Sequence, residues 1–132
     1  MTVKPLPKST KVLSIGLHPR ALDFSKLPGL DMDAFTARLQ AGHAALEAAG
    51  IEVVACLIDA DPDGAEAAVR EELRGASFGL AMIGGGVRMM PEHTLLFERL
   101  VNVLTESVPG IRLCFNSSPE TTIDALRRWI EP

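Results

Sequence analysis

Phe78-Gly79-Leu80-Ala81-Met82-Ile83-Gly84-Gly85-Gly86-Val87-Arg88-Met89-Met90-Pro91 carries the two signals on which the architecture rests. Residues 78–83 are a short, continuously apolar run, the pattern of a parallel strand covered on both faces. The glycine triplet ends that run, and Pro91 suits the first turn of the next helix, where its missing N–H costs nothing. A buried strand that feeds a helix is half of a parallel crossover.

The same unit recurs on either side. Lys11-Val12-Leu13-Ser14-Ile15-Gly16 reads as a first strand, followed by a long connection, His18 to Leu30, of the kind that is functional or mobile in compact domains. Asp31 or Asp33 is placed to cap a helix with Phe35, Leu39, Gly42 and Leu46 at helical spacing, ended by Gly50. The thinning at Gly42 suggests a close approach of this helix to the sheet. Ile51 to Ile58 reads as a second strand, apolar throughout from Val53 and so expected to be covered on both faces. An alanine-rich helix follows to about Arg74, with Asp63 and Glu66 at capping-box-like spacing. Ile111 to Phe115 is the fourth strand, and Ser118 before Pro119 caps a last helix with Ile123, Leu126 and Ile130 on its apolar stripe.

The alternation predicts one α/β domain over residues 1–132, Rossmann-like or flavodoxin-like, with residues 1–10 as a flexible N-terminal segment. It predicts a four-stranded parallel sheet in the order 2-1-3-4 with helices on both faces. The length of 132 residues suits one domain, and 47% hydrophobic residues suit a globular core. A net charge of −4 with interleaved signs leaves no basic stripe for nucleic acid. The polar, proline-containing start lacks a signal core, and no apolar run reaches the ~20 residues of a membrane span, so the expected compartment is the cytoplasm. Cys56 and Cys114 lie inside apolar runs and read as buried free thiols, with neither disulfide nor metal spacing.

In an open parallel sheet, ligands bind beyond the carboxyl ends of the strands, where successive connections leave to opposite faces. For the order 2-1-3-4 that crevice opens between the first and third strands. Gly16, His18 and Arg20 arrive there from the first strand, Gly84, Gly85, Gly86 and Arg88 from the third, and Asn116 and Ser117 from the fourth. His93, beside Glu92 in the first turn of the third helix, is a further candidate. The triplet is expected to adopt backbone conformations that other residues resist, with its N–H groups turned toward an anion, and Arg88 is expected to clamp a phosphate or carboxylate. The alternative for these glycines is a plain strand-to-helix turn. His43, mid-helix, reads as structural. Asp59, Asp61 and Asp63 lack calcium-loop spacing and read mainly as helix caps.

Through Ile15-Gly16-Leu17, Ile83-Gly84-Gly85-Gly86-Val87-Arg88, Pro91-Glu92-His93 and Cys114-Phe115-Asn116, the chain resembles small bacterial Rossmann-like proteins of unassigned function. That resemblance implies a fold and no activity or cofactor. The sheet also looks broadly like that of flavodoxins and response-regulator receivers. However, Leu17-His18 stands where receivers carry paired acids, and His18-Pro19-Arg20 is no flavodoxin phosphate loop.

The leading expectation is therefore an anionic small-molecule site of phosphate or nucleotide type at the carboxyl edge. One alternative is a small enzyme using His18 or His93 as acid and base. Another is an oligomerising interaction module: helix 91–107 is apolar over more than one face, which a neighbouring helix or a homodimer contact would cover.

Overall fold

The strands are β1 (Val12–Leu17), β2 (Val53–Ile58), β3 (Leu80–Ile83) and β4 (Arg112–Phe115) in a computed structural model that describes residues 3–132. All pair in parallel, in the order β2-β1-β3-β4. Ile15 stands level with Cys56 on one side and Ile83 on the other, and Ile83 stands level with Phe115. The carboxyl ends of the four strands thus share one edge. The fold is α/β, consistent with a Rossmann-like or flavodoxin-like domain.

Five helices connect or follow the strands: α1 (Met32–Ala48), α2 (Pro62–Gly75), α3 (Gly85–Arg88), α4 (Thr94–Ser107) and α5 (Thr122–Arg127). Asp31 is the cap of α1, its carboxylate accepting the Ala34 N–H at 2.8 Å, and Gly50 ends the segment at φ +76°. Asp61 caps α2 through the Gly64 N–H at 2.9 Å, which corrects the capping expected of Asp63 and Glu66. Those two carboxylates instead hold Arg99 on α4.

Two apolar layers follow from the alternation of side chains along each strand. Leu13, Ile15, Cys56, Ile58, Ala81 and Ile83 face α2 and α4. Val12, Leu80, Met82 and Cys114 face α1 and α5, which contribute Leu46, Ala125 and Leu126. Leu96, Leu100, Val103 and Leu104 of α4 are buried in the same cluster as Ala65 and Val69 of α2. The neighbouring helix therefore covers most of the apolar excess of 91–107 and leaves Leu95 71% exposed.

Three expectations are corrected. Helix 91–107 is preceded by the separate turn α3, and Pro91–His93 is a 3₁₀ turn that leads into α4. Proline drives Met90 into extended backbone (φ −99°, ψ 124°), so α3 cannot continue into it. Gly42 faces the Pro119 carbonyl rather than the sheet, and an added Cβ would lie 3.1 Å from that oxygen. On the face of β2 turned toward α1, Val53 packs against the Leu46 layer but Ala55 is exposed and Leu57 is 46% exposed, so the carboxyl half of this strand is covered on one face only. Ahead of β1, Leu6 is bridged to Ile130: its N–H donates to Trp129 O at 2.7 Å and its carbonyl accepts from Glu131 at 2.9 Å.

Candidate functional site

β1 and β3 deliver their glycines to one point. The Gly84 N–H donates to Ile15 O at 2.8 Å, and a Cβ on Gly84 would lie 3.7 Å from the Gly16 Cα. The chain then turns at once into α3. The Val87 and Arg88 N–H groups both return to Gly84 O, and Met89 N–H returns to Gly85 O at 2.8 Å. Among the described residues only Gly29, Gly50 and Gly110 have positive φ; Gly84 has φ −70°.

The expectation of unusual backbone at the triplet is thereby corrected, because what requires glycine here is space. A Cβ on Gly85 would meet Met89 Sδ at 3.0 Å and Ser117 O at 3.2 Å. One on Gly86 would meet only Leu22 and Leu17 side chains at 3.7 and 3.9 Å, ordinary contacts. Gly86 is exposed, and no intramolecular acceptor is found for its N–H among the described residues.

β4 delivers Asn116, whose side chain ties the edge together. Its Oδ1 accepts the Gly85 N–H at 2.8 Å and its Nδ2 donates to Thr122 Oγ1 at 2.7 Å, both in the interior. The adjacent Ser117 and Ser118 N–H groups donate to Thr121 Oγ1 at 3.0 and 3.2 Å. Ser117 itself is exposed. Arg88 completes the group. Its Nη2 donates to Asn116 O at 3.0 Å, its guanidinium lies 5.4 Å from the Phe115 ring centre, and its Nε is shielded from solvent without an acceptor. Gly16, Gly84, Gly85, Gly86, Arg88, Asn116 and Ser117 are thus one assembly.

The remaining candidates have other attachments. The His18 N–H donates to Ile58 O, and its Nδ1 accepts the Arg20 N–H at 3.2 Å, so the imidazole caps the turn Pro19–Ala21. Arg20 forms a two-pronged pair with Asp59 beyond β2, at 2.9 and 3.0 Å. The pair raises the arginine's pKa and lowers the carboxylate's, chiefly through that hydrogen bonding. Asp59 was expected to be a capping acid; 39 positions separate it from Arg20, and no local pattern links them. His93 is half-buried, and its N–H returns to Met90 O. Neighbouring Glu92 pairs with Lys26 from the first connection at 3.3 Å.

Two clefts lie elsewhere, on α2 and α4. One, of about 340 Å³, is lined by Pro62, Leu95, Glu98, Arg99 and Asn102. The other, of about 480 Å³, is walled by Glu66, Arg70, Glu71, Arg74 and Arg99, side chains already paired with one another. Neither includes a residue of the glycine assembly. Among the described residues, no three His, Cys, Asp or Glu side chains gather as a metal-holding group, and no helix is long and apolar enough to cross a membrane. No family model matches the chain, and no curated protein is significantly similar to it.

Proposed function

We propose that the carboxyl edge of the sheet receives an anionic small molecule of the phosphate or nucleotide class, held by Arg88 and the Gly86 N–H. The support is the state of Arg88. Arg20, Arg38, Arg70, Arg74 and Arg99 each pair with a carboxylate. Arg88, like Arg112, Arg127 and Arg128, has none, and it alone among the described residues keeps a shielded side-chain nitrogen without an acceptor, its Nε, while Nη2 is fixed on Asn116 O and the ring of Phe115 lies against it. The cation is held in place without being neutralised, and an anion completes it through charge-assisted bonds. The position also suits a ligand, since β1 and β3 send their helices to opposite faces at this point.

Titration with inorganic phosphate, and separately with a nucleoside diphosphate, tests this by amide and arginine side-chain NMR shifts. The Gly86 amide and Arg88 Nε signals are expected to move together and saturate. Arg88→Ala is expected to weaken binding by roughly 1.5–3 kcal/mol, the worth of a hydrogen bond to a charged group. Equal affinity in Arg88→Ala, or shifts confined to other regions, would overturn the reading.

A further inference from the structure

The long connection between β1 and α1 crosses the carboxyl edge of the sheet. From His18 the chain goes first to the face of α2 and α4, where Ala21 and Leu22 pack against the core layer. It must then recross the edge to reach Asp31, which caps α1 on the other face. The recrossing lies on the β3 side of β1. A Cβ on Gly86 would stand 3.7 Å from the Leu22 side chain, and Lys26 meets Glu92 in the turn ahead of α4 at 3.3 Å. Phe24 lies edge-on to Phe35 in the first turn of α1, with ring centres 6.4 Å apart. Residues 23–30 thus span from one helical layer to the other beside the glycine assembly.

The two halves of this connection are held differently. Residues 18–22 are anchored: Pro19 is buried, the His18 N–H donates to Ile58 O at 2.8 Å, and Arg20 holds Asp59 through two bonds. No residue of 23–30 is buried. The backbone hydrogen bonds found for this stretch close on itself, Lys26 to Asp23, Leu27 to Phe24 and Leu30 to Leu27. Its tie toward α4 is the single bond of Lys26 with Glu92, between side chains 57% and 45% exposed, where water leaves an ion pair little strength. Gly29, at φ +78°, supplies a swivel at the far end. A segment with so few buried contacts moves at low cost.

We propose that residues 23–30 are a strap that closes on the bound anion and carries Lys26 to it, the ammonium exchanging Glu92 for the ligand. This rests on the anion site at Gly86 and Arg88. Gly86 is exposed, so the strap stands clear of it in this structure. An ammonium on a flexible stem carries three donors, and it leaves one carboxylate for another acceptor without straining the backbone. Closure excludes water, and the attraction of Lys26 for a phosphate oxygen strengthens as the surroundings become less polar. Glu92 is then the competitor that occupies Lys26 until the anion arrives. The strap favours a ligand with at least two negative charges, one for Arg88 and one for Lys26.

Amide NMR shifts and thermolysin cleavage test this with inorganic phosphate, against chloride at equal ionic strength. In the native chain, phosphate is expected to shift the amides of 23–30 together with that of Gly86, and to slow cleavage within 23–30 by roughly fivefold. Lys26→Met is expected to weaken phosphate binding by roughly fivefold and Glu92→Gln to tighten it by about twofold, with most of that gain lost when the two are combined. A long-range charge effect of Glu92 would persist without Lys26, so the combination isolates the exchange. Movement at Gly86 and Arg88 with unmoved 23–30 amides, or native affinity in Lys26→Met, would overturn the strap and leave the anion site standing. No response at Gly86 and Arg88 would remove both. Because the shifts are read on the native chain, they decide the matter even if a variant fails to fold.

Discussion

The side chain of Asn116 accepts the Gly85 N–H at 2.8 Å, so the end of β4 holds the start of α3 in place across the edge of the sheet. Its other arm reaches Thr122 at 2.7 Å, and the residue is 8% exposed. Asn116→Ala leaves a buried N–H and a buried hydroxyl without partners. Loss of about 1–3 kcal/mol is expected, read as a lower urea midpoint at unchanged slope. A midpoint within error of the native value would show that water replaces the amide fully.

The triplet separates space from backbone freedom. Gly85→Ala is expected to destabilise by ~1–3 kcal/mol, because the new methyl meets the Ser117 carbonyl, which is backbone and cannot swing aside. Gly86→Ala has ordinary contacts and no positive φ, so neutrality or a gain of about 0.4–1 kcal/mol is expected. Equal losses at both positions would mean that conformation, not room, selects glycine here.

Thiol chemistry should be silent in the native state. Burial pushes Cys56 up to about 11 and Cys114 up to about 12, which leaves almost no thiolate at neutral pH. A thiol-specific disulfide reagent at pH 8 is expected to react with both at the rate of unfolding, and at once in denaturant. Fast modification of one cysteine in folded protein would contradict the buried arrangement.

Acid should loosen the attachment of α1. Arg38 holds Glu120 through bonds at 2.6 and 2.8 Å and, with a backbone hydrogen bond, lowers its pKa to about 2 from 4.5. A depressed carboxylate stabilises the fold fully above its unfolded pKa, and that contribution fades as pH falls from about 4.5 toward 2. Thermal midpoints measured across that window should fall less steeply for Glu120→Gln than for the native chain. Identical slopes would show that the exposed pair contributes nothing measurable.

The legibility of this chain differs from one residue to the next for physical reasons. Leu80 to Ile83 are buried without exception, and continuous apolarity identified that strand and, with the recurring helices, the sheet order. The same signal misled at β2, since an apolar run records that a face can be covered, not that the chain's own helices cover it. Asn116 and Arg88 were readable by type and by place on the edge. Their partners were not, because hydrogen bonds across 31 and 28 positions leave no periodic trace. Glycine is ambiguous in a different way: it is chosen both for unusual φ and for room, and composition alone cannot separate the two.

The bridge between Leu6 and Ile130 also bears on how the chain is made. Its two sides are separated by nearly the whole sequence, and residues 129–131 emerge long after Leu6 during synthesis. The segment before β1 must therefore wait, unpaired, while every strand and helix between is produced. Closing it is a late, long-range event in biogenesis.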